Sequence, residues 1–221
     1  MALLGSLIPA IAWVWYFLKK TIHKDSVSLV TFSFLAGAIA VWITIPLQQW
    51  VSENILLTAL VSIFVMACIE ECLKFLILRS LVLRIHEIRY RSDYVLYMTT
   101  AALGFAMMEN CLYLLTPLKT GNISAAIAIG NLRFFGSTVV HATSSALHGL
   151  WVGLALEKPF FNRAFCWCIG LASATLVHGA FNFYIAHESI TIVAITLLVL
   201  WSLLIVVTIL FHKSEIQFGY N

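Results

Sequence analysis

Three carboxylate side chains stand inside apolar stretches of this 221-residue chain, at Glu70, Glu71 and Glu109. A charged side chain at the centre of a bilayer costs about 2.5–3.5 kcal/mol on insertion scales, so three unpaired ones would cost about 7–10 kcal/mol. Such groups are kept where they are paired, hydrated, protonated or used in a reaction. Glu70 and Lys74 are four residues apart. This spacing predicts that they pair on one helix face, which leaves Glu71 free to face a cavity.

Histidines and an asparagine share helix faces further along the chain. His141 and His148 are seven residues apart, and His178 and Asn182 are four apart, so each pair falls on one face of a helix. A carboxylate can activate water as a general base, and adjacent His and Asn donors can stabilise a tetrahedral oxyanion. Two carboxylate sites and two histidine sites on separate apolar segments therefore favour a hydrolytic function.

Small residues follow His141 at helical intervals. Ser145, Gly149 and Gly153 are spaced four residues apart, and such a row lets a neighbouring helix approach closely in a membrane. We therefore interpret this row as a packing surface and assign no chemistry to Ser144 or Ser145.

The elements that must position these groups are membrane-spanning helices. The chain is 62% hydrophobic and 10% charged, with a mean hydropathy of +0.97, which excludes an ordinary soluble domain because too few polar residues remain to cover its surface. We predict an all-α polytopic transmembrane bundle of about seven spans, forming a single domain over residues 1–221 with its motif-bearing core at about 55–186. The count becomes eight if a short or re-entrant helix forms around Gly130 to Gly136. The apolar stretches are 2–18, 27–46, 55–83, 93–115, 123–157, 160–186 and 190–211.

The charges between the apolar stretches predict an orientation. Lys and Arg concentrate in the first, third and fifth loops and in the tail, whereas the second loop, Gln48 to Asn54, carries only Glu53. The positive-inside rule then places the N-terminus outside and the C-terminus in the cytoplasm. The net charge is only +3 without a long basic run, so no nucleic-acid partner is expected.

The order and spacing of the polar clusters resemble the signature of the PrsW family of intramembrane proteases, and more distantly the CAAX prenyl proteases. The motifs stand here as Glu70-Glu71-x-x-Lys74, Gly104-Phe105-Ala106-x-x-Glu109-Asn110-x-x-Tyr113, His141 with Gly149 and Gly153, and His178-Gly179-x-x-Asn182. The resemblance covers about residues 70–182. Asn182 replaces an Asp that is frequent in the family, and Ser92-Asp93-Tyr94 lacks a glycine often found after the Asp.

The resemblance implies a role for each matching residue. Glu70 would be the base that activates water, with Glu71 as its supporting neighbour, and Glu109 would occupy a site where the distant relatives place a His. His178 and Asn182 would form the oxyanion hole. Five further side chains would complete or support the site: His141, Lys74, Asn110, Tyr113 and His148. The implied substrate is a membrane-tethered protein such as an anti-sigma factor, cleaved during a stress response.

Three alternatives stay open at this point. Zinc could bind at Glu109, His141 and His178, although the chain has no HExxH spacing, so the ligands would have to come from different helices. We prefer a mechanism without a cofactor. The chain could instead be a non-catalytic membrane scaffold or immunity protein of the same fold. It could also be a proton-coupled transporter, since buried Glu and His residues serve as proton relays as well.

Overall fold

Seven α-helices make up most of the part of the chain that is described. The computed structural model describes residues 7, 10–15, 19, 27–83, 90–156, 158–186 and 189–218. The helices are α1 (Val27–Asn54), α2 (Ala59–Leu81), α3 (Arg91–Lys119), α4 (Ile123–Leu132), α5 (Thr138–Leu154), α6 (Phe160–Ile185) and α7 (Ile190–Phe218). No β-strand occurs within these ranges. The predicted first span, 2–18, lies largely outside the described residues.

Five helical segments are long and apolar enough to cross a membrane: α1, α3, the run from Ile123 to Leu154, α6 and Ile190–Leu210 of α7. The 23-residue α2 packs among them, and its helix rise of about 1.5 Å per residue gives it a spanning length of about 34 Å. Glu70, Glu71 and Lys74 give α2 its polar character, and all three are buried in the bundle. The predicted all-α membrane bundle is therefore confirmed.

Two helix boundaries differ from the sequence prediction. α1 continues to Asn54 through Pro46, so Gln48 is helical and does not lie in a loop, as a membrane helix tolerates a proline where neighbouring groups satisfy the freed backbone. The predicted interruption around Gly130 to Gly136 is a π-helical turn, Arg133–Ser137, between α4 and α5. The indole of Trp201 on α7 donates a hydrogen bond of 3.1 Å to the Phe135 carbonyl in this turn.

Glycines set the closest helix approaches. A Cβ atom added to Gly37 of α1 would overlap the carbonyl oxygen of Ala101 on α3, and one added to Gly104 would overlap that of Phe34. The row at Gly149 and Gly153 packs in the same way against the backbone of the first turns of α3. The predicted packing role of these glycines is therefore confirmed.

The α1–α3 contact gives a stability prediction. Gly37→Ala is expected to destabilise the folded protein by about 1–3 kcal/mol or more, because the added methyl group meets backbone that cannot move aside without separating two helices. Gly130→Ala is the matched control, since its Cβ would lie 3.8 Å from the nearest side chain and alanine favours helix over glycine by about 0.5–1 kcal/mol. Reversible unfolding in detergent measures both. Equal stability of the two variants would contradict the close contact.

Candidate active site

A polar cavity of about 430 Å³ lies within the bundle, among residues of α1 to α6 and the π-helical turn. Most of the predicted catalytic side chains line it. Its polar and charged lining residues are Gln48, Ser62, Glu70, Glu109, Tyr113, Arg133, Ser137, His141, His178 and Asn182. The sequence motifs, which come from four separate helices, therefore meet at one place.

Lys74 pairs with Glu71, which corrects the predicted pairing with Glu70. The ammonium Nζ lies 2.8 Å from Glu71 Oε1, and the two side chains are 1% and 0% exposed. Spacings of three and four residues both bring helical side chains together, so the choice between them depends on the neighbouring helices. Here Ser144 and Ser145 of α5 draw the Glu71 carboxylate toward their helix, and Glu70 faces the cavity.

Glu71 is held by hydrogen bonds on both carboxylate oxygens. Its Oε1 accepts from Ser144 Oγ at 3.1 Å and from His178 Nδ1 at 2.9 Å, and its Oε2 accepts from Ser145 Oγ at 2.9 Å. Both serines are fully buried. The prediction that these serines serve only helix packing was therefore wrong, because they also anchor this carboxylate.

A chain of polar contacts runs from Lys74 through His141 to Glu109. Lys74 Nζ lies 2.8 Å from His141 Nδ1, and His141 Nε2 lies 2.9 Å from Glu109 Oε2. An ammonium has only donors and a carboxylate only acceptors. His141 therefore accepts at Nδ1 and donates from a protonated Nε2. The ammonium also lies 4.3 Å from the centre of the Phe105 ring, a favourable cation–π position.

Arg133, which the sequence did not predict as a site residue, contacts the same oxygen of Glu109 as His141 does. Its Nη2 donates to Glu109 Oε2 at 2.6 Å and to Ser137 Oγ at 3.0 Å, and its Nε donates to the side-chain oxygen of Asn110. The guanidinium also lies 3.8 Å from the centre of the Tyr113 ring. The cost of a charge inside the bilayer applies to an arginine in a long apolar stretch as much as to Glu109. A search for charges of both signs would therefore have found Arg133.

Of the three carboxylates of the site, Glu70 accepts the fewest hydrogen bonds. Gln48 Nε2 donates to its Oε1 at 3.0 Å and to the Met66 carbonyl at 3.2 Å. The buried Oε2 has no hydrogen-bond partner among the described residues, and His178 Nε2 lies 3.7 Å away. Gln48 was not predicted as a site residue, because the predicted second loop begins at Gln48.

The remaining predicted residues take different positions. Asn182 and Tyr113 line the cavity, whereas Asn110 lies behind it and donates to Thr138 Oγ1 at 3.0 Å. His148 is fully buried away from the cavity, with its ring 4.8 Å from that of Phe75. No hydrogen bond to either of its ring nitrogens is found within the described part of the chain.

Comparison with known proteins identifies the family. The model of the PrsW family intramembrane metalloproteases matches residues 25–210. The chain belongs to the PrsW family. Protease PrsW of Shouchella clausii is 28% identical over 211 residues, which cover 90% of this chain and 94% of that protein. Protease PrsW of Bacillus subtilis is 27% identical over 189 residues, covering 84% and 83%. No solved structure matches the chain significantly.

Membership of the PrsW family makes this chain an intramembrane protease, which acts on a protein substrate at a lipid bilayer. The resemblance seen in the motifs is thereby confirmed. Residues 25–210 include every cavity-lining side chain named above.

The description of the PrsW family implies a metal, and the cavity offers a matching donor set. Glu70, His141 and His178 have ligand atoms that all lie within 4.8 Å of one another, and carboxylate and imidazole are both zinc ligands. His178 Nδ1 is held by Glu71, as the outer nitrogen of a zinc-bound histidine usually is. These residues fit zinc in type and spacing, but both ring nitrogens of His141 already have partners, Lys74 at Nδ1 and Glu109 at Nε2. Glu109, which the sequence analysis suggested as a ligand, is instead paired with Arg133.

Proposed function

We propose that this PrsW family protein is an endopeptidase of the bacterial inner membrane that hydrolyses a membrane-tethered protein, with Glu70 as the general base. One observation carries the proposal: Glu70 Oε2 is buried beside the cavity with no hydrogen-bond partner among the described residues. A base must have a free oxygen within reach of the water that it deprotonates.

The pairing of charges separates Glu70 from the other two carboxylates. Lys74 pairs with Glu71 at 2.8 Å and Arg133 with Glu109 at 2.6 Å. Glu70 instead accepts from the neutral amide of Gln48, and His178 Nε2 lies 3.7 Å from its Oε2. Glu71 already accepts four hydrogen bonds, so it acts as a positioning residue for His178.

His178 and Asn182 support the proposal as oxyanion donors. Since Glu71 accepts from Nδ1 of His178, donation to an oxyanion from Nε2 requires the imidazolium form. A carboxylate faces each ring nitrogen of that form, Glu71 at 2.9 Å and Glu70 at 3.7 Å. Asn182 lies one helical turn further along α6, on the same wall of the cavity.

The position of the cavity supports cleavage near the outer membrane boundary. Its lining residues lie toward the C-terminal ends of α1, α3 and α6. The predicted orientation places these ends outside the cell. A membrane-tethered regulator such as an anti-sigma factor would present its extracytoplasmic segment there. The curated relatives are proteases, which favours this function over a non-catalytic scaffold or a transporter.

A comparison of membrane proteomes tests the function. Cells that express the Glu70→Gln variant should accumulate the uncut form of a membrane-tethered regulator, whereas wild-type cells contain the shortened product. Identical fragment patterns in the two strains, with the variant present in the membrane at wild-type level, would contradict the proposal.

Zinc is the second candidate, because Glu70, His141 and His178 form a suitable donor set. Zinc bound there would polarise a water molecule for attack. Our preference for catalysis without it rests on His141, whose Nδ1 accepts from Lys74 and whose Nε2 proton is directed at Glu109.

Metal analysis distinguishes the two candidates. We expect the purified protein to contain far less than one zinc per chain and to keep its cleavage activity in a chelator, because His141 has no free lone pair to offer. Elemental analysis of wild type and His178→Ala measures this. One zinc per wild-type chain, absent from His178→Ala, together with chelator inhibition that zinc reverses, would overturn the glutamate mechanism.

A further inference from the structure

A second cavity, apolar and about 560 Å³ in volume, lies between α6 and α7. We call it the α6–α7 groove and define it by Val177, Ala180, Phe181 and Tyr184 of α6 and Val199 and Leu203 of α7. None of its lining side chains is charged. Val199 is 63% exposed and Tyr184 48% exposed, so apolar surface faces outward along both walls of the groove.

Phe181 forms a wall of both cavities. Its side chain lines the polar cavity together with Glu70 and His178, and it also lines the α6–α7 groove. The ring occupies space that Gly136 of the π-helical turn leaves open, since a Cβ there would lie 2.8 Å from Phe181 Cζ. One aromatic side chain therefore stands between the apolar groove and the polar cavity.

We propose that the α6–α7 groove binds the transmembrane helix of the substrate and directs the outer end of that helix past Phe181 to Glu70. This inference rests on the proposed function and names the surface that recognises the tethered substrate. The groove matches an apolar helix because none of the side chains on its two walls is charged. The continuity of the groove with the catalytic cavity favours this occupant over a lipid chain or a second copy of the protein.

The dimensions agree with such a route. The groove follows α7 from Ile192 to Leu203, which is about 16 Å at 1.5 Å per residue and so about half of a hydrocarbon core of about 30 Å. Its α6 wall ends at Tyr184, and the adjacent Ile185 lines the polar cavity. The α6 wall of the groove, from Leu176 to Tyr184, covers nearly the same turns as that of the polar cavity, from His178 to Ile185. A substrate helix bound in the groove would therefore lie beside the catalytic cavity, and residues that unwind from its outer end could pass Phe181 toward Glu70.

The test uses a membrane-tethered anti-sigma factor in two forms. One form keeps its transmembrane helix, and the other is a water-soluble peptide of its extracytoplasmic cut region. Val199→Trp fills the groove and should raise KM for the tethered form at least about tenfold, with kcat unchanged and with cleavage of the peptide unaffected. Ile39→Trp is the control, since Ile39 is similarly exposed, at 51%, on the unrelated helix α1.

A crosslinking measurement keeps the outcome independent of activity. A photoreactive residue at position 199 in the Glu70→Gln background should form an adduct with the substrate helix, and one at position 39 should not. Adducts only with lipid or only with a second copy would overturn the proposal. Equal loss of cleavage of both substrate forms in Val199→Trp would overturn it as well. Failure of the proposed function would be seen separately, as undiminished cleavage by Glu70→Gln.

Discussion

Replacement of Glu70 by glutamine is expected to lower kcat for substrate cleavage by about 10²–10⁴-fold, the contribution that a positioned general base typically makes. Glutamine keeps the volume of the side chain and can still accept the hydrogen bond from Gln48. The atom that replaces Oε2 is then an oxygen or nitrogen of a neutral amide, neither of which can take a proton from water. The loss should therefore fall on kcat while KM stays near the wild-type value.

The control for this change is Glu53→Gln, which removes a carboxylate from an exposed position at the end of α1. It should cleave at the wild-type rate. Cleavage is followed in proteoliposomes that contain the tethered substrate, and equal insertion of the variants is checked first. If Glu70→Gln retains more than about a tenth of the wild-type kcat, a general-base role that contributes at least about 10²-fold is contradicted.

Replacement of Lys74 by methionine is expected to destabilise the folded protein by about 3–5 kcal/mol, because it leaves the Glu71 carboxylate buried without its counter-ion. Methionine retains most of the volume of lysine, so the cavity contribution is small. Both partners are almost completely buried, at 1% and 0% exposure, so solvent cannot take over the role of the ammonium. The loss should be visible in reversible unfolding in detergent.

A double-mutant cycle separates the charge from the packing. Lys74→Met combined with Glu71→Gln removes both charges, and the double variant should be more stable than the sum of the two single losses predicts. Lys119→Met is the matched control, since Lys119 is exposed and such a change is usually worth within about 0.5 kcal/mol. Simple additivity of the two changes would show that the pair contributes nothing as a pair.

The location of the site was predictable because charge inside apolar sequence is rare. Glu70, Glu109 and His178 stand in apolar surroundings, and each lines the cavity. The partners were not predictable in the same way. Whether a lysine meets the carboxylate three or four residues before it depends on which neighbouring helix holds that carboxylate, and here Ser145 of α5 takes part. A single sequence does not show which of the two carboxylates the lysine pairs with.

The helical architecture was predictable from hydropathy, since the bilayer leaves few alternatives to the helix. The C-terminal end of α1 was not predictable from hydropathy. The predicted apolar stretch ended at residue 46, yet the helix continues through Pro46 to Asn54, and Gln48 thereby gains a fixed direction toward Glu70. In a soluble protein the same proline would be a stronger signal for a helix end, because a freed backbone carbonyl could be satisfied by water.

The π-helical turn at Arg133–Ser137 sets an angular register within one helical run. An α-helix advances about 100° per residue, and a π-helical turn accommodates about one residue more than an α-helical turn does. The half of the run that bears Arg133 is therefore rotated relative to the half that bears His141. Both side chains reach Glu109, so a single irregular turn lets one helix present two groups to the same carboxylate.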